Sequence, residues 1–378
     1  MFDHYRRDFD VVLFVSLLLI FAIGLAFLHS ASYKRYSTRE EYLQESLVVK
    51  QMLRFVLALI AGILVIRIGH QKLLEFAYVL YGLNILLLVL VLLLGETRLG
   101  AQRWIKLGMI GFQPSEFSKL IIVFTLARYL GQKESALGRD LFWQGGWRNS
   151  GVLASAFLLV GIPFILIMKQ PDLGTALTLV PILLTLLYVW GVSFKTLALL
   201  SLPAVLASPF LWQMLKPYQK RRILVFINPN ADPLGAGYTI IQSKIAIGSG
   251  GLFGKGWLAG TQNQLNFLPE RHTDFIFSIV GEEWGFIGAA LLLVLYIVLI
   301  SRAFLIAQRT LYSSSRLLAC GIIVVLVFQV VVNIAMTMGL VPVVGLPLPL
   351  ISYGGSSLFM TVVSLSLLLS IGMRRSVF

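Results

Sequence analysis

Apolar blocks of about 18 to 25 residues recur from one end of this sequence to the other. Wound as a helix, such a block matches the hydrocarbon thickness of a bilayer, and a soluble core has no use for so many of them. Ten can be drawn, at about 11–32, 47–66, 76–95, 116–131, 152–168, 174–191, 195–215, 275–300, 316–340 and 355–373. The fourth and sixth are short or closely joined to their neighbours. Strict alternation of apolar and polar residues is absent, which argues against a β-barrel. With 58% hydrophobic and 13% charged residues, the chain is expected to be an all-α polytopic membrane protein. About ten transmembrane helices and one long extracytoplasmic loop, 216–274, would form a single integral membrane domain over residues 1–378. The first block follows Arg6 and Arg7 and ends in HSAS. Its length exceeds the apolar region of a signal peptide, so it reads as a retained span.

An even number of spans places both termini on one side, and Arg6, Arg7, Arg374 and Arg375 mark that side as cytoplasmic. The loops expected inside carry Arg67, Lys72, Arg302 and Arg309 among others, but those expected outside also carry many cations, from Lys34 to Arg271. Charge asymmetry thus supports the orientation only in part. The outer excess, in a chain of net charge +14, points to an anionic ligand on that face. A single Cys320 leaves no disulfide framework within the chain, and His4, His29, His70 and His272 never fall at metal-ligand spacing. Neither a protein-held metal nor a nucleic-acid partner is expected.

The long insert ends in LPERHTDFIF, residues 268–277, where Asp274 meets the eighth span. A carboxylate at the boundary of water and hydrocarbon is expensive and therefore usually functional. The structural alternative is that Thr273 or Asp274 only caps that helix. Glu270, Arg271 and His272 add three ionisable groups within four residues, more than a cap requires, and such neighbours can tune a carboxylate for general-base work. In QPSEFSK, 113–119, Pro114 suits a first helical turn, and the helix dipole favours Glu116 there. Glu116 and Lys119 share a helical face, a spacing that suits an ion pair and a functional pair equally. GAQRWIKLG, 100–108, sets Arg103 beside Trp104, either as an interfacial anchor or as a phosphate and sugar contact.

QPDLGTA, 170–176, reads as a tight connection in which Asp172 caps the next helix. PLPLISYGGSS, 347–357, breaks the start of the last span, and irregular backbone at that depth is tolerated where it lines an enclosed cavity. GSGGLFGKG, 248–256, departs from the phosphate-loop pattern at Ser249 and Gly256. Nucleotide binding is rejected, and the glycines are read as letting backbone approach the membrane surface or a ligand. Gly281 and Gly285 form a GxxxG contact, with Glu282 and Glu283 expected to face polar partners in the bundle.

Together LPERHTDFIF, GAQRWI, QPSExxK, QPDLGTA, DPLGAGYTIIQSKIAIGSGGLFGKGW and PLISYGGSS resemble the SEDS family of bacterial envelope biogenesis, its elongation branch more than its division branch. Six separated motifs in one order carry the resemblance from the first span to the last. It implies a peptidoglycan glycosyltransferase of the bacterial inner membrane, with ten spans, cytoplasmic termini and an active site on the outer face. It also implies lipid II and undecaprenyl-linked glycan as substrates. The implied partners are a class B penicillin-binding protein and other elongation-complex membrane proteins. The family's essential aspartate falls on Asp274, its PSExxK carboxylate and lysine on Glu116 and Lys119, and its RW pair on Arg103 and Trp104. Asn266 stands where several relatives carry an acidic residue, which removes a second outer-face carboxylate from any metal-ligand scheme there.

For that reaction Asp274 is the expected base for the attacking sugar hydroxyl. A pyrophosphate leaves without a protonating acid when cations neutralise it, so one carboxylate suffices where a glycosidase needs two. Arg103, Lys119, Arg221, Arg222 and Arg271 are the candidate cations, with Glu116, Trp104 and His272 as further substrate contacts. A divalent cation, magnesium or manganese, would suit the leaving group but leaves no mark in the sequence. The alternative is a lipid II flippase. Against it, no inverted repeat stands out, and the chemistry-bearing residues crowd one face where alternating access lines both.

Overall fold

A computed structural model describes residues 9–33, 46–98, 101–107, 110–137, 150–206, 210, 212–213, 217–233 and 235–374. Arg6, Arg7, Lys34 and Arg375, used above to orient the chain, lie outside them. In chain order the helices begin with α1 (Val11–Ala31), α2 (Leu47–Ile68), the short α3 (His70–Glu75) and α4 (Ala77–Leu94). Three strands follow, β1 (Glu96–Arg98), β2 (Ala101–Leu107) and β3 (Ile110–Phe112), in one antiparallel sheet. Then come α5 (Pro114–Leu137), α6 (Ser150–Lys169), α7 (Leu173–Trp190), α8 (Phe194–Leu206), α9 (Pro217–Ile227), α10 (Ala236–Ser249) and α11 (Thr261–Gln264). The last three are α12 (Ile276–Gln308), α13 (Ser313–Thr337) and α14 (Gly355–Met373).

Among the described residues eight helices are long and apolar enough to cross a bilayer, namely α1, α2, α4, α6, α7, α12, α13 and α14. Helix α5 has the length, 24 residues, but carries Glu116, Lys119, Arg128, Lys133 and Glu134. Its inner half still packs in the core through Ile122, Val123, Leu126 and Leu130. A tenth crossing lies around α8. At one end of the bundle the Trp190 indole donates to the Leu130 carbonyl (3.0 Å). At the other, Arg222 donates to the Val343 carbonyl (3.1 Å). The chain must traverse the bundle between them. The protein is thus a helical multi-pass membrane protein, and its described residues are roughly consistent with the ten spans that its apolar blocks suggest.

Polar contacts define the two ends. Arg302 pairs with Asp10 (2.8 Å), Arg316 with Glu134 (3.4 Å), and Arg374 donates to the Arg67 carbonyl (3.3 Å). The opposite end holds the sheet, the 216–274 insert and the 338–354 connection. Helix α14 is the axis of the bundle: 89% of its membrane-length window is buried, against 22% for α2 and for α4, whose apolar side chains face outward as lipid-facing residues do. Packing pairs α14 with α2, α13 with α5, and α12 with α1.

Two pieces of irregular backbone shape the functional end. The 338–354 connection dips into the bundle, with Leu346, Leu348, Leu350 and Ile351 at most 3% exposed. Non-helical peptide groups at that depth survive because protein encloses and bonds them. Tyr296 donates to the Pro349 carbonyl (2.5 Å), and a Cβ at Gly24 of α1 would meet the Leu350 carbonyl at 2.7 Å. The second is a break in α12 at Gly285, whose φ of 66° and ψ of −160° no side chain tolerates well.

The glycine-rich turn after α10 supplies the bonds that the broken helix loses. Phe286 and Ile287 N–H donate to the carbonyls of Gly251 and Leu252 (2.9 and 3.1 Å). In return Lys255 and Gly256 N–H donate to the carbonyls of Glu282 and Glu283, each at 3.0 Å. A Cβ at Gly250 or Gly254 would sit 1.9 Å from the Gly281 carbonyl or 2.1 Å from that of Glu283. Those glycines therefore allow close approach to α12, not to a membrane surface or a ligand as the sequence suggested. Glu282 and Glu283 do find polar partners: Lys255 (2.8 Å) and Thr261 for the first, Ser30 (2.5 Å) and Asn263 for the second.

Where the sequence showed only a long loop, the described residues of the insert hold three helices. Around Arg103 and Trp104, where the sequence predicted no strand, the chain forms β2, paired with β3 from Ile105–Phe112 to Leu107–Ile110. Trp and Ile favour a pleated surface, but a strand of seven residues is too short to stand out between two spans.

Candidate active site

A cavity of about 400 Å³ opens at this end of the bundle. Its wall includes Arg103 and Trp104 from β2, Glu116 from α5, Arg222 from α9, Glu270 and Asp274 from the end of the insert, and Tyr353 to Ser357 at the start of α14. Five of the nine residues expected at the site thus converge on one hollow.

Asp274 does not cap α12. The cap position is Phe275, and no side chain bonds the first free N–H groups. Thr273 turns its hydroxyl back to the carbonyl and carboxylate of Glu270 (3.1 and 3.0 Å). Among the described residues no donor engages the Asp274 carboxylate, which is left facing the cavity. Burial lifts its pKa to about 6, and the nearby Glu270 carboxylate pushes the same way; Arg222 and Arg103 hold it down, and Asp172 adds a smaller upward push. A carboxylate so placed is ionised at neutral pH yet basic enough to take a proton.

The backbone beneath it is fixed at three successive carbonyls. That of His272 accepts from Tyr353 N–H (2.8 Å), that of Thr273 from the Ser352 hydroxyl (2.6 Å), and that of Asp274 from the Asn333 amide (3.0 Å). Asn333, fully buried on α13, gives its second N–H to the Leu346 carbonyl (2.7 Å). The glycine- and proline-rich break before α14 is therefore a mount for the His-Thr-Asp segment. Asn333→Ala strands two buried carbonyls, at about 1–3 kcal/mol each. We expect a lower melting temperature and a maximal rate reduced about 10–100-fold by misplacement of Asp274, with the half-saturating substrate concentration little changed. A rate within twofold of the parent would show that Asn333 does not hold the base.

Arg103 is mounted from the other side. It donates to the carbonyls of Gln170 (3.4 Å) and Pro171, and it lies 3.7 Å from Asp172. Asp172 accepts from Ser115 (2.7 Å) and Gln113 (3.0 Å) and caps α7 through Thr175 N–H (3.4 Å). The QPDLGTA turn thereby links α5, α7 and β2. Glu116 and Lys119 form a buried ion pair (2.8 Å) at the cavity floor. Below them a narrow cleft lined by Leu120, Ile322, Val325 and Met360 continues between α5, α13 and α14.

The other expected contacts lie elsewhere. Arg221 projects into solvent and pairs with Asp232 (2.6 Å). Arg271 spends its guanidinium on the carbonyls of Ala31 (2.7 Å) and Asn263 (2.6 Å), tying the insert to α1. The His272 ring packs edge-on to Tyr353 outside the cavity wall, and burial lowers its pKa. Lys119 reaches the cavity only through Glu116. Four residues outside the expected contacts matter here: Glu270, read from sequence only as a neighbour tuning Asp274, and Gln113, Tyr353 and Asn333. The first three sit inside motifs already noted; Asn333 left one signal, an amide deep in an apolar span. Among the described residues no three His, Cys, Asp or Glu side chains are arranged to hold a metal ion. A magnesium ion carried in by phosphates would find two carboxylates, Asp274 and Glu270, and would compete with Asp274's role as a base.

This arrangement sits within a known family. The model of the cell cycle proteins FtsW, RodA and SpoVE matches residues 10–377, and the chain belongs to that family. Among its relatives, the peptidoglycan glycosyltransferase MrdB of Escherichia coli K12 is 44% identical over 297 residues, covering 78% of this chain and 77% of the relative. The peptidoglycan glycosyltransferase RodA of Treponema pallidum is 33% identical, covering 97% and 98%. Among solved structures, a chain from a study of a peptidoglycan synthase complex and its structural coordination of polymerization and crosslinking superposes with a TM-score of 0.79. It is 36% identical and covers 98% of this chain and 99% of its own. The crystal structure of Thermus thermophilus RodA gives 0.70 at 32% identity, with 97% of each chain covered.

Proposed function

We infer that this protein is a peptidoglycan glycosyltransferase that polymerises lipid II during cell elongation, with Asp274 as its general base. Family membership and the names of the relatives support the activity. The observation that carries the role of Asp274 is its position: a carboxylate with no capping duty, at the wall of a cavity shared with two guanidinium groups. In the reaction, the 4-hydroxyl oxygen of the acceptor sugar attacks the anomeric carbon of the donor. Its proton passes to the Asp274 carboxylate, and the bond from that carbon to the pyrophosphate breaks. The departing oxygen takes the electron pair and is neutralised by Arg103 and Arg222.

The cavity lies at the end of the bundle opposite Asp10 and Arg374, which supports termini in the cytoplasm and a site on the outer face of the inner membrane. The likeness to a synthase complex supports a crosslinking partner, a class B penicillin-binding protein. The decisive experiment is purified protein with lipid II. Glycan polymer is expected; transbilayer movement of lipid II without polymer would favour a flippase instead.

The pH dependence tests the chemistry separately. The base works ionised, so kcat/KM should rise with pH through a limb centred near 6 and level off above it. Glu270→Gln removes a charge that raises this pKa and should move the limb to lower pH. A limb that ignores Glu270 would reject the assignment.

A further inference from the structure

Helix α2 lies at the periphery, and Met52, Leu53, Val56 and Leu57 are 49–61% exposed on its outer face. Arg54 stands among them, yet it is turned inward. Its guanidinium carbon lies 4.7 Å from the ring centroid of Tyr353, and a Cβ at Gly355 would meet its Nε at 3.2 Å. Tyr353 and Gly355 both line the catalytic cavity. A cation on a lipid-facing helix is costly, and one that only sought water would extend away from the bundle along the surface.

Arg103 and Arg222 line the cavity, Arg54 stands beside two residues that do, and the three differ in their commitments. Arg103 is bonded to the Gln170 and Pro171 carbonyls and faces Asp172, and Arg222 is bonded to Val343. For Arg54, no carboxylate or carbonyl among the described residues accepts from the guanidinium. Its donors remain available while its charged carbon lies over the Tyr353 ring. A guanidinium anchored over an aromatic ring with its donors unspent suits a bidentate phosphate contact.

The reaction inferred above requires a second such contact. Both sugars that meet at Asp274 are anchored in the bilayer by a polyprenyl pyrophosphate. The pyrophosphate that departs must lie beside Asp274, where Arg103 and Arg222 are. The acceptor attacks with its far sugar, so its own pyrophosphate sits a disaccharide away, at the membrane surface. We propose that Arg54, at the rim between α2 and the start of α14, binds the pyrophosphate of the lipid-linked acceptor. This rests on the glycosyltransferase reading, and its test is separable from it.

The probe is undecaprenyl pyrophosphate, titrated into the full-length protein in detergent micelles, with lipid II polymerisation by the parent measured in parallel. The parent should bind two equivalents and Arg54→Ala one; Arg54→Lys should recover part of the second. In polymerisation, Arg54→Ala should raise the half-saturating lipid II concentration about tenfold with the maximal rate within about twofold, the loss expected of one charged hydrogen bond. Unchanged stoichiometry in Arg54→Ala, or a single equivalent in the parent, overturns the proposal. So does a fall in maximal rate and melting temperature at constant half-saturation, which would make Arg54 a brace for the 353–355 turn. A parent that binds two equivalents but makes no polymer would overturn the inferred activity and leave the anion site standing.

Discussion

Purified protein carrying Asp274→Asn is expected to bind lipid II and to polymerise it about 10²–10⁴ times more slowly than the parent. The amide keeps the shape of the carboxylate and cannot take the proton of the attacking hydroxyl. The substitution should cost no stability, because the carboxylate bonds no neighbour among the described residues and caps no helix. Removing a desolvated charge beside Glu270 should even raise the melting temperature slightly. Inactivity with intact or improved folding is the signature of chemistry; inactivity with loss of fold is not. Full polymer yield from this variant would reject Asp274 as the base.

The largest expected effect on folding comes from Gly285→Ala. Its φ and ψ lie in a region that glycine alone occupies, which costs another residue about 1–3 kcal/mol before any collision. The added Cβ would then stand 2.3 Å from the Gly254 nitrogen and 2.8 Å from the Leu252 carbonyl carbon, backbone atoms that cannot rotate away. Either α12 straightens, and the bonds from Phe286, Ile287, Lys255 and Gly256 are lost together, or the glycine-rich turn is displaced from the helix. We expect little monodisperse protein on size exclusion and a strongly depressed melting temperature. Gly82→Ala, with nothing within 4 Å of the new carbon, should behave as the parent. Equal melting temperatures for the two variants would show that α12 is not broken at Gly285.

The spans were legible because membrane helices announce themselves by length and apolarity, and even α5, whose first two turns carry the ion pair, could be drawn. The sheet was not, since seven residues of β2 between two long helices leave no periodic trace. At the site, adjacency in sequence misled where direction mattered. Arg221 and Arg222 are consecutive on α9, about 100° apart around its axis, so one meets the cavity and the other meets Asp232. Arg271 and Asp274 share one turn, but only the aspartate is aimed inward. The distant partners were harder still: that Asn333, Ser352 and Tyr353 hold the segment 272–274 depends on how α13 and the 338–354 connection meet, and no local pattern encodes it.

The triple attachment of residues 272–274 also decides how this enzyme can be controlled. The insert that carries Asp274 cannot re-aim it, because its last peptides are bolted to a different part of the chain. A neighbouring subunit that leaned on the final two spans, and shifted Asn333 or Ser352 by an ångström, would throttle or release turnover without touching a sugar. Pressure on those spans would therefore bear on the reaction through Asn333 and Ser352.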